Sequence, residues 1–221
     1  EELAFAAIQA GAVAIYVGAP QFGARQAAGN SLDDIEEVVR YAHRYGVQVL
    51  VTLNTLLHDD EYAQAVALAH ALYKIGVDAL IIQDLHLLDF DLPPIRLHAS
   101  TQCDNRTVED VIRLQQLGFK RVVLARELGI QEISEIHRAV VAYSSEKGKK
   151  PIELEAFIHG ALCVSYSGKC FISEVLCGRS ANRGACSQYC RMAYDLLDAN
   201  MQEVLDDDGQ PIHQQYLLSL Q

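Results

Sequence analysis

One hydrophobic pattern recurs four times before residue 160. A stretch with apolar residues at helical spacing ends on a glycine, and a short run rich in Val, Ile and Leu follows. The runs are AVAIYVG after Gly11, VQVLVTLN after Gly46, VDALIIQD after Gly76 and FKRVVLARE after Gly118. A glycine just past a helix takes the left-handed conformation that closes the last turn. The runs are nearly continuous rather than alternating, which predicts parallel strands buried on both faces. The spacing predicts helices over Leu3–Ala10, Leu32–Tyr45, Glu61–Ile75, Val108–Leu117 and Ile130–Val141, with Ser31 and Thr107 as N-caps. Two further strands are predicted: Ile95–Ala99 behind Pro93-Pro94, and Ile152–Ile158 behind the polar loop Ser144–Lys150.

Strands and helices alternating this regularly predict a parallel α/β fold. Six strands suit a TIM-like (β/α)8 barrel better than a five-stranded sheet, with an open doubly wound sheet as the alternative. The chain opens on Glu1-Glu2-Leu3-Ala4-Phe5 without Met, already inside a helical pattern, and stops mid-pattern at YLLSLQ. One barrel strand is therefore expected to be missing at each end. Three parts are predicted: a βα-repeat barrel portion over 1–160, a cysteine-rich segment over 161–192, and a hairpin or appendage over 193–221 that turns at Asp206-Asp207-Asp208-Gly209.

Composition adds limits. Half of the 221 residues are hydrophobic and 21% are charged, as in ordinary globular domains. No run approaches the ~20 apolar residues of a membrane span, and no signal peptide is visible, so a cytoplasmic protein is expected. A net charge of −11 argues against nucleic-acid binding by the bulk surface, so any such contact must use a local patch. One patch stands out. Between Cys163 and Arg191 the cations Lys169, Arg179, Arg183 and Arg191 face Glu174 alone.

The same stretch holds Cys163, Cys170, Cys177, Cys186 and Cys190, five of the six cysteines. Thiolates are soft ligands suited to zinc and iron–sulfur clusters. The tight two-residue knuckles of structural zinc sites are absent, while Gly168, Gly178 and Gly184 allow backbone amides close to sulfur, which suits a cluster. Inert reduced thiols and disulfides are the alternatives. Cys177 and Cys103 read as surplus to a four-sulfur set.

In a parallel barrel the active site lies at the carboxyl ends of the strands. Those ends, and the loop QFGARQAAGN, supply Arg25, Asn54, Gln83, Asp84, His98, Ser100, Arg126, Glu127 and His159. Side chains alternate along a strand, so Glu155, Phe157 and His159 are predicted to share a face. His43, His58, His70 and His137 read as structural or surface residues.

The segment EAFIHGALCVSYSGKCFIS, from Glu155 to Ser173, resembles the signature of the collagenase-like peptidase family U32. YVGAPQFGARQAAGN, VTLNTLLHDD, ALIIQDL, LHASTQCDNRT and RVVLAREL resemble the same family. GRSANRGACSQYCR is similar to the subgroup that hydroxylates cytidine or uridine in bacterial ribosomal and transfer RNA. The resemblance implies RNA base hydroxylation, with prephenate as oxygen source and a 4Fe–4S cluster on Cys163, Cys170, Cys186 and Cys190. Zinc is the alternative metal. His159, Arg126 and Glu155 are the candidate catalytic residues; Arg25, Asn54, His98 and Gln102 are the candidates to hold substrate. A dicarboxylate donor calls for guanidinium forks, so Arg25, Arg126 and His159 are expected to line one cleft beside the cysteines. Structured RNA is expected to bind through the local basic patch. Two other readings stay open: a peptidase, for which Cys163 with His159 is the candidate pair, and a non-catalytic metal-stabilised module. Neither HEXXH nor G-x-S-x-G occurs.

Overall fold

The computed structural model describes all residues except Glu1, 26–28, 161–162, 213–215, 217 and 219–221; most of the closing YLLSLQ lies outside the described residues. Six strands, β1 (Ala14–Gly18), β2 (Gln48–Leu53), β3 (Ala79–Ile82), β4 (Arg96–Ala99), β5 (Arg121–Val123) and β6 (Glu153–Glu155), form one sheet in chain order. Every neighbouring pair is parallel. The helices are α1 (Glu2–Gln9), α2 (Leu32–Arg44), α3 (Tyr62–Ile75), α4 (Val108–Gln116), α5 (Ile130–Glu146) and α6 (Ile172–Cys177). Gly11, Gly46, Gly76 and Gly118 all have φ between 68° and 98°, the left-handed closure that their place in the pattern requires. Ser31 caps α2 with a reciprocal bond to Asp34, and Thr107 accepts from the Asp110 amide to cap α4.

The sheet curls. Tyr16 on β1 donates its hydroxyl to the Glu155 carboxylate on β6, so inward-facing residues of the first and last strands meet across the concave side. Desolvation of that hydroxyl and the carboxylate beside it raise the Tyr16 pKa. The convex side carries the main core. Val49, Val51, Leu53, Leu80, Ile82, Ala99, Val122 and Leu124 pack there against Ile35, Val39, Ala69, Leu72, Val111, Leu114, Ile136 and Val140 from the helices. The architecture is a six-stranded parallel half-barrel.

Three expectations change. The strands are not apolar on both faces: Leu50, Ala79, Ile81 and Ala14 form a small inner cluster over β1–β3, but Arg96, His98, Arg121, Glu153 and Glu155 line the inner face of β4–β6. These charges answer each other, because Arg121 donates to Glu153 at 2.8 Å and to Glu155 at 3.2 Å. Next, β6 stops at Glu155 rather than Ile158. Its partner β5 turns away where the Ala125 amide donates to the Asn105 carbonyl (3.1 Å), and Phe157 and Ile158 are exposed. Finally, α5 runs five residues past Val141, into the predicted loop. Its serines are satisfied in place, Ser144 by Gln115 at 2.9 Å and Ser145 by the Val141 carbonyl at 2.9 Å. The stretch beyond Cys190 forms an antiparallel meander, with bridges Leu197–Glu203 and Leu205–Pro211.

Asn105 ties the carboxyl ends of β4 and β5 together. It is fully buried, and its amide donates to the Ser100 carbonyl at 2.8 Å and the Val123 carbonyl at 2.9 Å. Truncating it strips donors from two carbonyls, so Asn105→Ala is expected to lower stability by about 1–3 kcal/mol. Urea unfolding checks this as a lower midpoint at unchanged slope; a change under about 0.5 kcal/mol would show that the tie carries no weight.

Candidate functional site

The cysteine-rich segment lies against the loops that follow the carboxyl ends of the strands. One end is anchored at residues 166–169. Ser167 is fully buried, and its amide and hydroxyl both donate to the Glu127 carboxylate, each at 2.9 Å. Thr101 donates to the Ser167 hydroxyl at 3.2 Å. Gly168 has φ +74°, and a Cβ there would stand 2.1 Å from the Gln102 carbonyl oxygen, so neither the backbone angle nor the space admits a side chain. Lys169 pairs with Asp104, and the Arg106 guanidinium lies 4.7 Å over the Tyr166 ring, a cation–π contact.

The other end is anchored at residues 182–183. The buried Asn182 accepts from the Leu56 amide (3.1 Å). Arg183 grips Glu61 with two bonds of 2.8 and 2.7 Å and donates to the Leu56 carbonyl at 2.8 Å. A bidentate guanidinium–carboxylate pair is the stronger kind of ion pair. Its guanidinium bonds, ahead of the His58 amide, hold the Glu61 carboxyl at about 2. Between the anchors, α6 closes on Gly178 (φ +68°), and the Ser187 amide donates to the Ser173 hydroxyl at 3.0 Å.

All six cysteines are free thiols. Partial burial raises the Cys190 pKa, and the neighbouring Cys163, Cys186 and Cys170 raise it further against the opposing Arg191. Cys190 therefore stands within electrostatic reach of all three. The two surplus cysteines are engaged elsewhere. Cys177 bonds the Ser173 carbonyl and the Ser187 hydroxyl, both at 3.1 Å, and that hydroxyl is the first cause of its lowered pKa. Cys103 faces the Ile82 and Gln83 carbonyls, and burial pushes its thiol up to about 12. Among the described residues no three His, Cys, Asp or Glu side chains stand close enough to hold a single metal ion.

A cavity of about 310 Å³ opens at this end of the sheet, lined by Arg25, Thr55, Glu61, Arg183 and the turn Ala19–Gly23. Arg25 is there, but Arg126 and His159 are not among its walls. Both are exposed, Arg126 just past β5 and His159 beyond β6. This cavity therefore brings Arg25 together with Arg183 and Glu61, and not with Arg126 or His159. The shared face of Glu155, Phe157 and His159 is likewise lost with the early end of β6. Glu155 points into the half-barrel, where Tyr16 and Arg121 take its two oxygens. Asn54 bridges loops, accepting from the Ala24 amide (2.9 Å) and donating to Ser100 (3.2 Å). Gln102 contributes its backbone carbonyl, which meets Gly168 and accepts from Gln83 at 3.3 Å. Asp84 accepts from the Leu57 and His86 amides and from Tyr62, a purely local brace. His98 faces the opposite end of the half-barrel, beside Arg96 and Arg121.

Two of the four cations in the basic patch, Lys169 and Arg183, are paired with Asp104 and Glu61, which lowers the charge available to meet a phosphate backbone. Sequence reading missed the anchors themselves. Glu61 reads as the start of a helix, and nothing in the chain announces that a residue 122 positions later will bind it.

The model for peptidase family U32 matches residues 2–221. The chain belongs to this family. It is 53% identical over 215 residues to the 23S rRNA 5-hydroxycytidine synthase of Escherichia coli, covering 97% of this chain and 30% of that protein. A tRNA hydroxylation protein of Bacillus subtilis is 36% identical, over 86% of this chain and 44% of its own length. A collagenase of Porphyromonas gingivalis is 33% identical, over 99% and 52%. The chain thus spans from under a third to about half of these relatives. Among solved structures, the U32 peptidase Mk0906 aligns with a TM-score of 0.50 at 17% identity, covering 65% of this chain and 60% of that one, which supports the fold.

The Glu61–Arg183 anchor gives a pH test. A depressed carboxylate contributes stability that is complete above its ordinary value of 4.5 and is lost as pH falls toward about 2. Hydrogen-exchange protection at the Leu56 amide, which faces Asn182, is therefore expected to fall over that interval before the amides of β2 and β3 do. Glu61→Gln is expected to show the loss already at neutral pH. Equal Leu56 protection in the variant and the parent at pH 7 would contradict the anchoring role.

Proposed function

We propose that this family member is the cysteine-bearing part of an RNA base hydroxylase. In this reading Cys163, Cys170, Cys186 and Cys190 hold a 4Fe–4S cluster, and a prephenate-like dicarboxylate is the oxygen source. What carries the reading is relatives named for rRNA and tRNA hydroxylation, taken with the surroundings of Cys190, whose thiol is raised first by burial and then by the charges of Cys163, Cys186 and Cys170. The donor set fits: four free thiols on glycine-rich backbone, two half-buried and two exposed. All four donors are soft thiolates, which suit an iron–sulfur cluster and leave zinc as the alternative metal. When bound, such a cluster supplies one-electron chemistry beside the carboxyl ends of the strands.

The chain's own residues do the rest. Arg25, on the wall of the 310 Å³ cavity, offers its guanidinium to a carboxylate, and Glu61 fixes the orientation of Arg183 next to it. His159, four residues before Cys163, is the proton carrier of this proposal, imidazole being suited to proton transfer at neutral pH. Arg126, exposed on the neighbouring loop, is left for a phosphate of the RNA. Eight strands, two more than the half-barrel, complete the TIM-like barrel in this reading. Peptide cleavage is not proposed, because among the described residues no cysteine or serine side chain hydrogen-bonds to a histidine.

The test is nucleoside mass spectrometry of RNA from cells that carry the natural full-length protein as their sole copy. Cys170→Ala is expected to abolish both the visible absorbance of anaerobically purified protein and the hydroxylated base, whereas Cys177→Ala is expected to keep both. Full hydroxylation by a colourless Cys170→Ala protein would falsify the proposal.

A further inference from the structure

At the end of the sheet opposite the cysteines there is a second, larger cavity of about 690 Å³. Its walls include Gln48, Arg96, Arg121 and Glu153, the first residues of β2, β4, β5 and β6. It therefore lies at the amino ends of the strands, away from the anchors and from Arg25. Its charge is strongly one-sided: Arg96, Lys120, Arg121, Lys149 and Lys150 face Glu153 alone, in a chain of net charge −11.

Arg121 is committed to Glu153 and Glu155. Arg96, Lys120, Lys149 and Lys150 form no ion pair among the described residues. The cavity also has a polar floor. His98 is only 4% exposed, and its Nδ1 has no hydrogen-bond partner. Burial first, and the guanidinium of Arg121 next, lower its pKa to about 4, so the ring is neutral near pH 7 and presents one donor. A buried polar atom without a partner is uncommon and calls for a cause, such as a group that it awaits. Four cations without ion pairs around a buried imidazole whose Nδ1 has no partner describe a receptor for anionic oxygens. The volume falls within the range of small-molecule sites.

We propose that this cavity binds a small polyanion, a molecule of metabolite size with at least two phosphate or carboxylate groups, held by Arg96, Lys120 and Lys150 and touching His98 at the floor. The recessed floor favours a small ligand over a nucleic-acid backbone, which requires only surface cations. The inference is independent of the cysteine site and stands or falls without it.

Isothermal titration of the natural full-length protein with inorganic pyrophosphate and, separately, with citrate tests it at low ionic strength. Saturable binding of at least one is expected, and the stronger of the two names the preferred anionic group. Arg96→Gln combined with Lys150→Gln, both at exposed positions, is expected to weaken binding at least tenfold, while Arg138→Gln on the outer face of α5 leaves it unchanged. The His98 ring nitrogens are expected to shift on pyrophosphate addition in the parent and not in the double variant. Binding of neither anion, equal affinity in the double variant, or binding of an RNA oligonucleotide alone would each overturn the proposal.

Discussion

Gly168 and the Gln102 carbonyl approach so closely that no other residue fits between them. This contact ties a segment rich in polar loops to a rigid sheet edge. Gln102 sits in the turn directly after β4, and Asn105 locks that turn to the end of β5, so the surface that meets Gly168 is itself held in place. Glu127, just past β5, takes both donors of Ser167, one residue before Gly168. Cys163 and Cys170 flank this anchor on either side. The Arg183–Glu61 pair does the same for Cys186 and Cys190 from the far side of α6. Cys163, Cys170 and Cys186 lie in no helix or strand and Cys190 in a single 3-10 turn, so the anchors are what hold this segment to the half-barrel.

Charge is used locally rather than over the whole surface. The protein is acidic, yet each anchor joins a cation of the cysteine segment to a carboxylate of the half-barrel, Lys169 to Asp104 and Arg183 to Glu61. The concave face follows the same rule: Arg121, Glu153, Glu155 and Tyr16 form one network where hydrocarbon was expected. Buried or half-buried charges persist where partners satisfy them, and they fix geometry more than they add stability. The cations at the amino ends of the strands, around His98, are the exception, since they face one another more than any partner.

Much of the architecture was legible in the chain. The helix–glycine–strand repeat gave four of the six strands, the runs behind Pro93-Pro94 and the polar loop gave the other two, and helical spacing gave five of the helices, because burial periodicity and left-handed glycines are local signals. The polar inner face of β4–β6 was written in RLHA, RVV and ELE, but such short runs cannot reveal which side faces inward until the sheet curls. The ends of β6 and α5 depended on neighbours: β6 on where β5 turns away, α5 on whether Gln115 could satisfy Ser144. At the site, Asn54 was recognisable as a strand-end polar residue and Gln102 was a candidate to hold substrate, yet both act through loop-to-loop and backbone contacts. Which strand-end residues share a cavity depends on how the sheet curls, which a list of strand ends does not convey. Glu61 had no sequence signal at all, because its role is defined by a partner more than a hundred residues away.

The claim on which the functional reading rests is that the two anchors bring Cys163, Cys170, Cys186 and Cys190 to one polynuclear cluster. Iron and acid-labile sulfide analysis with Mössbauer spectroscopy, on anaerobically purified natural full-length protein, measures this most directly. About four iron and four sulfide per chain, with the signature of a 4Fe–4S cluster, are expected. A stoichiometric zinc ion without sulfide, or full iron loading in a variant lacking Cys186 and Cys190, would contradict it.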